Sequence, residues 1–198
     1  MVDFRVPAHV PPEFRIEETT LSGVFVGTPS LRPDVRGWFI RVFDDTEWPT
    51  VEYGERRWVQ ENQLRSRQGT IRGLHFQKGL AEAKLLRVVR GEIFDVVVDL
   101  RPTSSTFLQW ESFILDDRRH EQLLIPPGCA HGFQALSTSV DLCIKTSTFY
   151  EEGLDAGVLW SDDELGIPWP LPNPILSPRD MAAPPLNAVR ELFDEWFE

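Results

Sequence analysis

Along most of this chain apolar and polar residues alternate in short runs, and glycine or proline separates the runs. Leu21 to Val26 ends at a Gly-Thr-Pro turn, and Trp38 to Phe43 follows the turn-like stretch Arg32 to Gly37. Trp58 to Gln63 and Thr70 to Gln77 have the same character. A period of two puts successive side chains on opposite faces, as in a half-buried strand. Leu85 to Val89 and Ile93 to Leu100 flank Arg90-Gly91-Glu92 and read as a hairpin with a glycine turn. Trp110 to Leu115, Glu121 to Ile125, Gly132 to Ala135 and Val140 to Ser147 complete the series. Many short strands at near-even spacing predict an all-β antiparallel sandwich or barrel.

Helical patterning is confined to two places. Asp45 to Val51 has room for one turn. In the tail, Asn187 to Glu198, residues Val189, Leu192, Phe193, Trp196 and Phe197 share a face and Asn187 stands as an N-cap. This helix is expected to pack on the outside of the barrel or on a partner. Pro168 to Pro185 is proline-rich but also carries Trp and Leu, so it is expected to wrap the barrel surface.

A length of 198 residues suits one domain. The net charge of -11 argues against a nucleic-acid or membrane-surface role. It leaves room for an anionic small molecule, since a few local arginines suffice to bind one. No apolar run approaches the roughly 20 residues of a membrane span. Met1 to Arg15 is polar and proline-bearing, unlike a signal peptide. Cys129 and Cys143 read as buried free thiols, and a cytoplasmic location follows.

The candidate chemistry centres on Arg72-Gly73-Leu74-His75-Phe76-Gln77, where a cation, a permissive glycine and a titratable imidazole share one strand. A second histidine, His131, follows the turn Pro126-Pro127-Gly128. Two histidines facing one barrel mouth suit proton transfer on a small, polar, anionic molecule. No metal is expected: His75-Phe76-Gln77 lacks a second histidine, and two dispersed histidines make a poor site. His9 and His120 read as surface residues, and Trp38, Trp110 and Trp169 as packing.

These residues resemble the dTDP-4-dehydrorhamnose 3,5-epimerase family. The matches are Asp34-Val35-Arg36-Gly37-Trp38-Phe39, Gln60-Glu61-Asn62, Arg72 to Gln77, Lys84-Leu85-Leu86-Arg87 and Gly91-Glu92-Ile93-Phe94-Asp95. They continue in family order through Phe107-Leu108-Gln109-Trp110, Ile125 to Phe133, Gly166-Ile167-Pro168-Trp169-Pro170 and Leu176-Ser177-Pro178-Arg179-Asp180. The resemblance implies one cupin-type jelly-roll domain over residues 1–198, with short flanking helices and a C-terminal helix. Its parts are an N-terminal arm (1–20), the jelly roll (21–150) and a wrapping C-terminal segment (151–198). It implies a homodimer without cofactor, in which the N-terminal segment of one subunit reaches its neighbour's site.

By the same resemblance His75 is the general base, Asp180 the carboxylate that orients it, and Lys84 the cation near the keto oxygen. Arg36, Gln60, Asn62 and Arg72 contact sugar and diphosphate, His131 is a pocket histidine, and Tyr150 stacks on the nucleotide base. The chemistry suits these types. Removing a proton next to a ketone leaves an enolate, so a base is needed at carbon and a cation at oxygen. Inversion also needs an acid on the opposite face. In the family that acid is a tyrosine just before a lysine, and here Cys143-Ile144-Lys145 puts Ile144 in its place. Arg41 and Arg32 depart from the pattern as well. The expected activity is epimerisation of a nucleotide-linked 4-keto-6-deoxy sugar in deoxysugar or natural-product biosynthesis. The alternative is another enolisation (a keto-isomerase, lyase or cyclase) on a different carbonyl compound.

Overall fold

The structure, a computed structural model, describes residues 13–49, 58–79 and 82–197. Its strands form two facing sheets and a separate hairpin. The first sheet runs β1 (Phe14–Glu18), β2 (Phe25–Pro29), β10 (Gln122–Ile125), β7 (Lys84–Arg90), β12 (Ser139–Thr146), β5 (Gln60–Arg67). The second runs β13 (Asp155–Gly157), β6 (Ile71–Gln77), β11 (Cys129–Ala135), β8 (Glu92–Asp99), β9 (Trp110–Asp116). Neighbours within each sheet are antiparallel. The hairpin pairs β3 (Arg32–Asp34) with β4 (Gly37–Phe39). The order of strands is that of the expected jelly roll.

Alternation along the strands builds three apolar clusters. Leu86, Val88, Leu123, Val140 and Leu142 of the first sheet meet Ile93, Val97, Leu115 and Phe133 of the second and fill the interior. The outer face of the second sheet, with Leu74, Phe76, Phe94, Val96 and Val98, is covered by Leu186, Val189, Phe193 and Phe197. Leu85 and Leu124, on the outer face of the first sheet, pack with Phe14 and Trp48. At roughly 1.5–3 kcal/mol for each fully buried large apolar side chain, these layers supply the main drive to fold.

The expected hairpin across Gly91 does not form. β7 lies in the first sheet and β8 in the second, so Gly91 carries the chain over the barrel edge. β8 is buried on both faces from Ile93 to Asp99, which hides the period that would have assigned it to a sheet. Gly91 has φ +84°, and a Cβ there would lie 2.7 Å from the Ser139 carbonyl oxygen, so the corner needs glycine.

The tail also departs from expectation. Instead of one helix capped by Asn187 there are α2 (Leu186–Val189), a 3₁₀ turn (Arg190–Leu192) and α3 (Phe193–Trp196). Pro185 is the N-cap residue, and the Leu186 N–H is satisfied by Asp162 Oδ2 at 2.8 Å. Phe193 and Phe197 dock on the Phe76 ring, with centroids 6.4 and 5.7 Å away, and Leu192 is left 39% exposed. Packing on the barrel thus overrides the continuous helical period. Asp44 to Glu47 forms a turn, and residues 50–51 of that predicted turn, like residues 1–12, lie outside the described residues. Two strands come from the expected flanks, β1 from the arm and β13 from the wrapping segment. Trp38 is 56% exposed and packs on the half-buried His120 ring, with centroids 4.6 Å apart.

Candidate active site

A close approach of β6 and β11 sets the site. Gly73 has φ +136°, and a Cβ on it would stand 2.4 Å from Gly132 Cα. Two facing glycines are therefore required where the Arg-Gly-Leu-His and His-Gly-Phe motifs cross. Just beyond, His75 and His131 are direct cross-strand partners. Their chain neighbours Leu74, Phe76 and Ala130 belong to the outer cluster, so both imidazoles face the barrel interior.

Asp180 reaches His75 from the wrapping segment. Ile175 bonds to both Gly69 and Ile71 and lays this segment along the start of β6. Ser177-Pro178-Arg179-Asp180 then makes a capped turn opening α1 (Pro178–Met181). Ser177 Oγ accepts from the Asp180 N–H at 3.1 Å and donates to Asp180 Oδ2 at 2.8 Å. The other carboxylate oxygen lies 2.5 Å from His75 Nε2. Burial disfavours the charged carboxylate, yet the bonds from His75 and Ser177 and the nearby Arg179 charge hold Asp180 below the ordinary carboxylate range. An ionised carboxylate only accepts, so the imidazole proton sits on Nε2 and the lone pair is left at Nδ1.

Lys84 comes from the opposite sheet. It shares the inward parity of Leu86 and Val88, and its ammonium donates to the His75 carbonyl at 3.2 Å. Its row continues through Thr146 to Gln60, and the next row is Leu86, Ile144, Asn62. Gln60 is half-buried and Asn62 exposed on edge strand β5. Arg72, exposed at the start of β6, donates to Ser66 Oγ at 3.1 Å. Lys84, Gln60 and Asn62 thus share one end of the first sheet and form a polar mouth, whereas Arg72 meets Ser66 near the other end of β5. Ile144 packs half-buried against the interior core, with Asn62 and Leu86 as cross-strand neighbours.

His131 is only 6% exposed and its Nε2 lies 2.8 Å from Asp95 Oδ2. Asp95 is fully buried, which raises its carboxyl above the usual range, although His131 and Lys84 oppose that rise. Tyr150 is exposed on the rim and donates to Asp155 Oδ2 at 3.2 Å. Loss of solvent, then the Asp155 charge, pushes its phenol up. Asp155 also pairs with Arg179 at 2.6 Å and stands opposite Gln77 in the β13–β6 register.

Arg36 stands apart. It is exposed on the β3–β4 hairpin and holds its own Asp34, with Nη2–Oδ2 at 2.5 Å. Arg32 and Arg41 both turn to buried Glu13, at 2.5 and 3.8 Å. Sequence reasoning assigned no role to Ser177, Glu82 or Gln77. The Ser-Pro-X-Asp spacing of an N-cap was the available sign for Ser177. Cys129 and Cys143 are buried and unpaired, in strands of different sheets, and burial pushes the Cys129 thiol up to about 12. No helix among the described residues is long and apolar enough to cross a membrane.

Known proteins similar to this chain share its fold and family. The dTDP-4-dehydrorhamnose 3,5-epimerase family matches residues 18–188. The dTDP-4-dehydrorhamnose 3,5-epimerase of Methanothermobacter thermautotrophicus is 42% identical over 160 residues, covering 80% of this chain and 85% of that protein. The dTDP-4-dehydrorhamnose 3-epimerase of Streptomyces niveus is 37% identical over 178 residues, covering 89% and 86%. Among solved structures, a 4-keto-6-deoxy sugar epimerase from the novobiocin biosynthetic gene cluster of Streptomyces spheroides superposes with a TM-score of 0.83. It is 36% identical, with 93% of this chain and 94% of that one covered.

Proposed function

This chain belongs to the dTDP-4-dehydrorhamnose 3,5-epimerase family, and on that premise we propose that it is an isomerase acting on a dTDP-linked 4-keto-6-deoxy sugar. The observation that carries the proposal is the 2.5 Å pair of His75 Nε2 and Asp180 Oδ1, with the Lys84 ammonium 3.2 Å from the His75 carbonyl. His75 Nδ1 takes the proton from the carbon beside the ketone, and Asp180 stabilises the imidazolium that results. Lys84 meets the charge that grows on the keto oxygen. Gln60 and Asn62 at the mouth and Arg72 at the start of β6 position the sugar diphosphate, His131 walls the site, and Tyr150 stacks on the base.

Arg36 completes the site from a second copy. The hairpin that carries it exposes Val35 at 105%, Trp38 at 56% and Phe39 at 59%, an apolar tip suited to a homodimer contact. The cytoplasm is the proposed compartment, in keeping with two unpaired buried cysteines.

One observation favours a second reading. At position 144 an alkyl side chain packs into the interior core, and isoleucine has no proton to return. An enzyme with the base but no opposing acid would enolise its substrate without inverting it, as a keto-isomerase, lyase or cyclase does. Incubation with dTDP-4-keto-6-deoxyglucose in heavy water separates the two. The epimerase incorporates solvent deuterium at the inverted carbon and His75→Asn does not. Exchange without inversion in the parent, with inversion appearing in Ile144→Tyr, would instead establish the second reading.

A further inference from the structure

Two residues that carry no role so far converge on Lys84. Its ammonium lies 3.3 Å from Glu82 Oε2, in an ion pair whose two side chains are each only 12% exposed. The other Glu82 oxygen accepts from Gln77 Nε2 at 2.8 Å. Gln77 is 6% exposed, and its Oε1 accepts from the Glu151 N–H at 3.3 Å. Polar contacts therefore run without a break from the residue after Tyr150, through Gln77 and Glu82, to Lys84 and on to the His75 carbonyl.

A lysine ammonium rides on a flexible stem and has three equivalent hydrogens, so by itself it points nowhere in particular. Here the His75 carbonyl takes one hydrogen and the Glu82 carboxylate faces the ammonium from another side. Fixing two directions leaves the third determined. The low exposure of the pair matters, because an ion pair screened by bulk water would hold the lysine only weakly. Buried Asp95 also bears electrostatically on Lys84, but it is bonded to His131, so Glu82 is the carboxylate that pairs directly with the ammonium.

We propose that Glu82 is a positioning residue: it clamps Lys84 so that the free ammonium hydrogen meets the keto oxygen as the enolate forms, and Gln77 braces Glu82 from behind. This rests on the role proposed for Lys84 above. A donor aimed where charge develops acts on the transition state more than on the bound substrate. Loss of the clamp therefore lowers kcat and spares KM.

Glu82→Gln keeps the volume and the brace and removes the charge. The expected result is a kcat lower by about tenfold, with KM within about twofold of the parent. A second measurement needs no turnover. The chain has three lysines, Lys78, Lys84 and Lys145, so lysine labelled with carbon-13 at Cε gives three methylene signals, and Lys84→Arg identifies one. A clamped Lys84 shows two inequivalent Hε shifts. They are expected to merge in Glu82→Gln and to stay split in Glu82→Asp, which keeps the charge. Split shifts that persist in Glu82→Gln, or an unchanged kcat, overturn the clamp. If the parent fails to turn over the dTDP-linked keto sugar while the Lys84 shifts still merge in Glu82→Gln, the assigned reaction falls and the clamp stands.

Discussion

Replacing Asp180 by Asn tests the dyad through its protons rather than its shape. Ser177 Oγ accepts the backbone N–H of residue 180, so its own hydrogen is directed at Oδ2, 2.8 Å away. An asparagine must then offer its carbonyl oxygen to Ser177 and its amide NH₂ to His75. A donor facing Nε2 forces the imidazole proton onto Nδ1, and the lone pair that would take the substrate proton is gone. Loss of the correct tautomer and of the imidazolium's counter-charge is expected to lower kcat by about 10³- to 10⁴-fold, or roughly 4–5.5 kcal/mol. Turning the amide over would cost the Ser177 hydrogen bond, about 1–3 kcal/mol in a buried setting. Removing that bond beforehand should therefore help. The Ser177→Ala, Asp180→Asn double variant is expected to run about tenfold faster than Asp180→Asn alone, from roughly 1.4 kcal/mol of relief. The assay is the initial rate at which deuterium from heavy water enters the sugar, read by proton NMR beside the yield of epimer. An Asp180→Asn enzyme within tenfold of the parent would refute the dyad. A double variant no faster than the single one would refute the tautomer account.

Acid stability should follow the buried carboxylates. Asp180 and Asp99 are held below their ordinary range, so each stabilises the fold at neutral pH and loses that contribution as pH falls below about 4 and through the lowered value. Asp95 has the opposite sign: burial raises it, so its protonation favours the fold as pH falls. In urea titrations from pH 7 to pH 3, Asp99→Asn should flatten the acid decline and Asp95→Asn should steepen it; a shared direction would contradict these assignments. At the barrel corner, Gly91→Ala is expected to destabilise by about 2 kcal/mol or more, from positive φ and a clash 2.7 Å from the Ser139 carbonyl. Gly153→Ala, with nothing within 4 Å of the added Cβ, should be nearly neutral in the same urea assay, and equal effects would show that the corner is not tight.

The bounds of dry strands were as legible as those of wet ones, since the runs read for β6, β8 and β10 fall within one residue of them; what burial hid was the pairing. The run Trp110 to Leu115 falls on β9, whereas Trp58 to Gln63 reaches only the first half of β5. β8 has no wet face, so its partner could not be read and the Gly91 hairpin was expected in error. The tail failed for a related reason. Its apolar residues do recur at a helical period, but Leu186, Phe193 and Phe197 dock on the outer face of the second sheet, which accepts two short turns in place of one helix.

The site divides along the same line. His75, Arg72 and Gly73 lie on one strand, and any reading of that strand finds them together. The pair of His75 and Asp180 joins residues 105 positions apart, and only the course of the wrapping segment brings Asp180 there. Lys84 reaches His75 from the other sheet, a contact that strand periodicity cannot express because it depends on how two sheets face each other. Glu82 is the converse case. It is two residues from Lys84 in sequence, yet alternation makes such neighbours unremarkable on any strand. What distinguishes this pair is its burial, 12% exposure on each side, together with Gln77 closing behind it. Motif spacing thus identifies the groups that could do the chemistry. Packing decides which of them are held charged, in one tautomer and in one direction, and a proton transfer depends on those three properties.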